Sequence, residues 1–356
     1  MSETAPLARK NYWSLDVAKF LCALMVISAH FVSEWGKGKL PAIVDYAFSI
    51  YVIAVPFFFC CSGFLFFKKL MALPTKDEKR RYFIQYEKRI WIMYGLWSVI
   101  YVAYLVYSWI VEGEFTIAKV LGWLHMALVF QTYSTIWFLP ALAVGVAVTY
   151  FLVMHLSTRK IFVLGVLLYI FGMLGYTYNF LLADTPLNVV YDIYGKLFQT
   201  TRNGLFNGFP FIFMGYLVSQ KPIAPSRKGF WRYAAPAIGF LVLLAAESFL
   251  LKLKFAVTGM DVGVFIVPFT YCFIMTVLQL ELPESKCWLW CRRLSLLIFV
   301  AQRLFLTVLP GVFPVIFKPL YANPYIGLAV VIGLTVLFSV GLYYASKKIT
   351  FLKYMM

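Results

Sequence analysis

Residues 15–33 read LDVAKFLCALMVISAHFVS, an apolar run in which only Asp16, Lys19 and His30 are charged or carry an imidazole. A helix needs about 20 mostly apolar residues to cross the hydrocarbon core of a bilayer, and this stretch meets that length. The rest of the chain repeats the pattern. Of its 356 residues, 62% are apolar or aromatic and 13% are charged, with a mean hydropathy of +0.81. Soluble domains carry about 45–50% apolar and about 25% charged residues, so a water-soluble globule is excluded and an all-α integral membrane protein is expected.

Ten apolar stretches are expected as spans: 15–33, 43–67, 90–111, 137–156, 161–182, 204–219, 233–251, 262–280, 294–312 and 325–346. The stretch Thr116–Phe130 (TIAKVLGWLHMALVF) is shorter and broken by Lys119 and His125, which predicts an interfacial or re-entrant helix on the outer side. The polar start MSETAPLARKNYW precedes an apolar run without a small-residue cleavage pattern, so the first helix is expected to be retained. Without a polar segment long enough for a separate soluble unit, the chain reads as one integral domain over 1–356.

The chain carries 32 Lys and Arg against 15 Asp and Glu, a net charge of +17. With ten spans and a cytoplasmic N-terminus, most of these 32 cations fall on the cytoplasmic side, with Arg9, Lys10 and the run 76–89 (KDEKRRYFIQYEKR) among them. That is the positive-inside bias, with both termini cytoplasmic. The excess thus reads as topology and gives no reason to invoke nucleic acid. The six cysteines (22, 60, 61, 272, 287 and 291) sit mostly in apolar runs and read as small buried hydrophobes; no metal site is expected.

Ionisable groups inside spans are costly, which makes them functional candidates. Lys19 and His30 are 11 positions apart, just over three turns, so they share a face about 16 Å apart along the axis. The spacing suits a long thin substrate such as the phosphopantetheine arm of coenzyme A, with Lys19 holding phosphate and neutral His30 taking a proton from an acceptor hydroxyl. The alternative is that Lys19 snorkels to headgroups and His30 makes an interhelical hydrogen bond. Asp16 can pair with Lys19 or Arg89, or cap the first helix. In the run 76–89, Lys88 and Arg89 read either as a positive-inside anchor or as a cradle for donor phosphates. His125 and His155 are weaker candidates, and Arg303, beside Gln302, needs a partner if buried. The connection 183–203, with Asp184, Asp192, Lys196 and Arg202, reads as an acceptor-facing lid or a plain loop.

Several stretches in order resemble the acyltransferase-3 family of integral membrane O-acyltransferases. LDVAKFLCALMVISAH (15–30) resembles its first-helix signature, with Lys19 where Arg is commoner. VPFFFCCSGFLFFKK (55–69) resembles its aromatic run ending in Ser-Gly-aromatic, here Ser62, Gly63 and Phe64. YEKRIWIMYGLW (86–97) resembles the basic approach to the third helix, TIWFLPALAVG (135–145) the Trp-Phe motif at Trp137 and Phe138, and TRNGLFNGFPFIFMGYLVS (201–219) a segment led by Arg202, Asn203 and Gly204. Three positions depart from the pattern: Thr135 and Gln302 stand where His is common, and Tyr86 where a second Arg is. The resemblance implies transfer of a short acyl group, expected to be acetyl, from cytoplasmic acyl-CoA to a hydroxyl of an extracytoplasmic or lipid-linked carbohydrate. It implies His30 as base, Lys19, Lys88 and Arg89 on the donor, and Asp16, Ser62, Trp137 and Arg202 as acceptor-side or supporting residues. The expected setting is the bacterial cytoplasmic membrane. A carrier for a small polar solute or an acyl group is the alternative, since a polar midplane site also suits alternating access.

Overall fold

The computed structural model describes residues 11–41, 49–257 and 260–356 and is all-helical, with no strand among the described residues. Its α-helices are α1 (Trp13–Phe31), α2 (Ala54–Met71), α3 (Lys76–Val111), α4 (Ile117–Val129), α5 (Phe138–His155), α6 (Thr158–Leu174) and α7 (Leu187–Phe198). They continue with α8 (Phe209–Ser219), α9 (Arg227–Phe255), α10 (Ile266–Leu278), α11 (Lys286–Arg303), α12 (Leu309–Val312), α13 (Pro314–Ala322) and α14 (Pro324–Lys348).

Each of the ten apolar stretches carries a helix, but among the described residues seven helical segments are long and apolar enough to cross a membrane. These are Trp13–Gly36, Tyr51–Met71, Lys76–Val111, Ile117–His155, Arg227–Phe255, Lys286–Val312 and Pro324–Lys348; Gly204–Ser219 and Ile266–Leu278 are apolar but shorter. The protein is therefore a multi-pass membrane protein with seven helices of crossing length, against ten expected. Arg9, Lys10 and positions 43–48 of the second stretch lie outside the described residues.

Sequence punctuation sets several helix starts. Thr75 and Glu78 form a reciprocal capping box at the head of α3, each side chain accepting from the other's backbone N–H at 3.2 Å. Asn323 caps α14, whose first residue is Pro324. The dense cations of 76–89 therefore lie on the first turns of a continuous 36-residue helix.

Burial separates inner from outer helices. The apolar window of the segment containing α2 is 72% buried, against 28% for α3 and α9 and 22% for α14. At the centre α2 crosses α8 at backbone contact. A methyl group on Gly63 would sit 2.3 Å from the Ile212 carbonyl oxygen, and one on Gly215 would sit 2.2 Å from that of Cys60. Helices in lipid associate through such small-residue contacts because burying apolar area gains little there. That is the physical reason for glycine after Ser62. Stacked on this crossing are Phe58, Phe59, Phe138 and Phe299, with ring centroids 4.7–6.0 Å apart.

One expectation for the periphery is revised. The connection 183–203 is not a plain loop, because it contains α7, an amphipathic helix with no buried residue. Thr116–Phe130 forms α4, 13 residues with none buried, too short to cross alone. α4 and α7 are tied by His125, whose Nε2 lies 2.8 Å from the Leu197 carbonyl and whose Nδ1 lies 3.2 Å from Gln199.

Candidate functional site

Three helices carry a single wide turn of π-helix, and each adjoins a charged or imidazole side chain set in apolar surroundings. The turns are Val32–Gly36, Gly204–Gly208 and Leu304–Val308. The first follows His30 and contains Glu34, the second follows Arg202, and the third follows Arg303 directly. Such turns recur at functional sites, because the extra residue re-aims side chains and releases backbone carbonyls. Here side chains take up carbonyls of the third turn. Tyr321 donates to the Phe305 carbonyl at 2.8 Å, and the Trp35 indole to that of Leu306 at 3.0 Å.

These turns gather two ion pairs around His30. Arg303 reaches from the end of α11 to the end of α1. Its Nη1 pairs with Glu34, and its Nη2 lies 3.3 Å from His30 Nδ1. The second pair is Arg202 with Asp261, Nη1 to Oδ2 at 2.5 Å. The Arg202 guanidinium lies 4.8 Å from the ring centre of Trp137 and 5.4 Å from that of Tyr176, and the Tyr176 hydroxyl donates to Asp261 at 3.1 Å. Tyr51 links the two pairs: its ring centre is 5.7 Å from that of His30, and its hydroxyl lies in the electrostatic field of Asp261, Arg202, Tyr176 and Arg303. Each cation is matched by a carboxylate, so the cluster is balanced in charge.

The motif Arg202-Asn203-Gly204 is explained locally. The Asn203 side-chain oxygen accepts from the N–H groups of Leu205 and Phe206, capping the wide turn, while its amide donates to Tyr194 at 2.8 Å. A methyl on Gly204 or Gly208 would come within 2.7 or 2.8 Å of the Ala141 carbonyl oxygen. The turn is thereby pressed onto α5, which brings Arg202 over Trp137 at that helix's head.

Beside this cluster stand buried polar atoms without a protein partner. They are Nε of Arg202 and Arg303, Oε1 of Gln302, Oγ1 of Thr135 and both side-chain amide atoms of Asn207. Buried polar groups are nearly always satisfied, so their concentration on residues that form or flank the site marks where a polar ligand or solvent would be held. Thr135 and Gln302, two of the three departures from the family pattern, are both in this set.

At the other end of α1 the expected pairing is partly corrected. Asp16 is buried and does not cap the helix, whose N-cap is Tyr12. It binds Lys19, with Nζ at 3.5 Å, and Arg292, with Nε at 2.9 Å and Nη2 at 2.8 Å. Arg89 is not its partner; that side chain is exposed and donates to the Met356 carbonyl at 3.0 Å. Lys88 is exposed beside it. Ser62 is half-buried on α2, near Tyr86. The Lys19 end therefore gathers Lys19, Asp16 and Arg292, and Arg89 stands apart on α3.

His155 is exposed at the end of α5 and His125 serves the α4–α7 contact, so neither joins the cluster. Sequence reasoning passed over Glu34, Tyr51, Asp261, Tyr176 and Arg292. Glu34 was available to it, lying four residues beyond His30 where helical side chains share a face. Arg303 was flagged as needing a partner; Glu34 is that partner.

The family model described as an acyltransferase domain matches residues 12–344, nearly the whole chain, and the protein belongs to this acyltransferase-3 family of membrane proteins. Two curated relatives carry other names. An amino-acid racemase of Enterococcus faecalis is 30% identical over 230 residues, 63% of this chain and 30% of that protein. A serine/alanine racemase of Enterococcus gallinarum is 27% identical over 210 residues, 58% of this chain and 29% of that protein. The chain thus spans about three tenths of the length of the curated relatives it matches. No solved structure matches.

Proposed function

We propose that the protein transfers a short acyl group, acetyl in the first instance, from cytoplasmic acyl-CoA to a hydroxyl of an extracytoplasmic or lipid-linked carbohydrate. The observation that carries this reading is the contrast between the two ends of α1. At the Lys19 end two cations share one carboxylate, leaving a positive excess suited to the phosphates of coenzyme A. About 16 Å along the helix, the balanced cluster around His30 suits an uncharged hydroxyl and a thioester. A phosphopantetheine arm is long and thin enough to join the two.

In this reading Lys19 binds donor phosphate, with Lys88 and Arg89 as outer electrostatic contacts on the basic face of α3. Asp16 and Ser62 hold the donor side in place. His30 accepts the proton of the acceptor hydroxyl as its oxygen attacks the thioester carbonyl. The new C–O bond forms, the C–S bond breaks, and the imidazolium returns the proton to the coenzyme A thiolate. Trp137 and Arg202 form the wall against which the acceptor sits. The positive-inside bias supports cytoplasmic termini; in this reading the shorter helices complete ten crossings and the setting is the bacterial cytoplasmic membrane.

Incubating the purified, detergent-solubilised chain with labelled acetyl-CoA and a cell-envelope oligosaccharide tests the proposal. Labelled ester and free coenzyme A are expected in equal amounts, and neither product forming would overturn it. A second reading, a membrane carrier for a small polar solute, is favoured by the names of the relatives, both racemases of amino acids. It predicts uptake of serine or alanine into proteoliposomes without any acyl donor; the transferase reading predicts none.

A further inference from the structure

We propose that Arg303 and Glu34 are positioning residues that make Nδ1 the basic atom of His30 and guard its lone pair until the acceptor hydroxyl arrives. The inference rests on the acyl-transfer reading and names the atom at which that chemistry starts.

A guanidinium donates hydrogen bonds and never accepts them. Arg303 Nη2 faces His30 Nδ1 at 3.3 Å, so Nδ1 presents its lone pair and the hydrogen of the neutral ring sits on Nε2. The opposite edge of the ring is therefore not the base. An sp² nitrogen has one in-plane lone pair, and the incoming hydroxyl must replace the Nη2–H as its donor.

The surroundings fix this arrangement from several sides. Nη1 of Arg303 is held by Glu34, and Thr307 Oγ1 lies 3.4 Å from the same nitrogen and 3.5 Å from Glu34 Oε2. The Trp35 indole staples the wide turn after His30 to the one after Arg303 through the Leu306 carbonyl. Arg303 is only 8% exposed. An Arg buried in a span requires a carboxylate, and Glu34 meets that need by itself. Glu34 does not account for the second nitrogen facing the imidazole.

The reaction then runs in balanced steps. The acceptor O–H takes the place of Nη2–H at Nδ1 and gives up its proton there. The oxygen bonds to the thioester carbon, C–S cleaves, and the proton passes from Nδ1 to the departing thiolate.

Diethyl pyrocarbonate, which acylates unprotonated imidazole nitrogen, reads the guard without any acyl transfer. The chain has three histidines, so peptide mass spectrometry of the full-length, detergent-solubilised protein resolves His30 from His125 and His155. Arg303→Gln is expected to raise the His30 labelling rate about tenfold, the equivalent of one charge-assisted hydrogen bond. Glu34→Gln, which frees the guanidinium from its tether, is expected to raise it about threefold on the same scale. Unchanged labelling of His125 and His155 reports a retained fold, and Glu34→Gln at its more exposed position carries the test if Arg303→Gln fails to fold. Raised His30 labelling upholds the guard and unchanged labelling in a folded variant overturns it, whether or not acyl transfer is detected, so the two readings fail separately.

Discussion

The two ends of α1 hold similar side chains in different company. At the Lys19 end, one carboxylate serves two cations, and Lys19 and Arg292 keep 16% and 36% of their side chains exposed. At the His30 end, each of two guanidiniums has its own carboxylate, and Arg303 and Arg202 keep 9% and 25%. Unmatched charge draws a polyanion, whereas matched charge orients a neutral group and waits for charge to develop. Under the proposed function the same helix therefore separates binding from chemistry by about three turns.

That division is broken most directly at His30. His30→Ala is expected to lower acyl transfer by about 10²- to 10⁴-fold, the usual contribution of a general base, while leaving acetyl-CoA affinity within about twofold. Single-turnover transfer and equilibrium binding of labelled donor measure the two effects. Transfer retained in the variant would mean that the two ends do not divide the work.

The acceptor wall comes next. Asp261→Asn leaves Arg202 half-buried without its counter-charge. Losing one partner of a fully buried pair costs about 3–5 kcal/mol. Both side chains here keep some exposure, 25% and 13%, so a loss of about 2 kcal/mol in unfolding free energy is expected once screening is allowed for. Thermal unfolding in detergent checks it. Arg202→Ala combined with Asp261→Asn is expected to recover most of that stability without recovering transfer. A double variant no more stable than the single one would show that the pair is not what holds this wall.

At the other end, Lys19→Ala is expected to weaken acetyl-CoA binding about tenfold, the value of one charge-assisted phosphate contact, with the rate at saturating donor little changed. Asp16→Asn should act oppositely at first, raising donor affinity by removing the carboxylate that competes for Lys19 and Arg292. Calorimetric titration of both variants distinguishes a phosphate mouth from a plain structural ion pair, which predicts weaker binding in each.

How much of this was legible beforehand follows from the physics of each signal. Apolar length is a local property, so every expected stretch carries a helix. Crossing length is not local. Gly204–Ser219 matches the apolar stretch and is short in the sequence itself, with the wide turn capped by Asn203 inside it, whereas Ile266–Leu278 is short because the loop that follows Asp261 occupies the start of what hydropathy assigns to span. The pairing of Lys19 with Asp16 is visible at three residues' spacing. Arg292 lies 276 positions from Asp16 and Arg303 lies 269 from Glu34, and only the fold brings them close. The wide turns after His30 and Arg303 left no mark in residue type, since their register is imposed by tertiary contacts such as Trp35 with Leu306, whereas the one after Arg202 is marked by Asn203, Gly204 and Gly208. Gly63, by contrast, is plain in the sequence as part of a motif, but its reason lies in the fold, where the Ile212 backbone presses against it.

The smallest effect sharpens the comparison further, because it separates a built site from a charged surface. Lys88 and Arg89 lie on the exposed face of α3, and Arg89 already donates to a backbone carbonyl. Their contribution to donor binding is long-range attraction, which salt screens within about 10 Å at 0.1 M. Lys88→Ala and Arg89→Ala should each weaken acetyl-CoA binding about twofold at low salt, the scale of an exposed ion pair, and not measurably at high salt. The tenfold loss in Lys19→Ala should persist, because that cation is largely sheltered beside Asp16. If the Arg89 variant loses affinity as strongly as the Lys19 variant and salt does not narrow the gap, the phosphates are gripped on α3, and the donor enters further from α1 than the cluster at Asp16 implies.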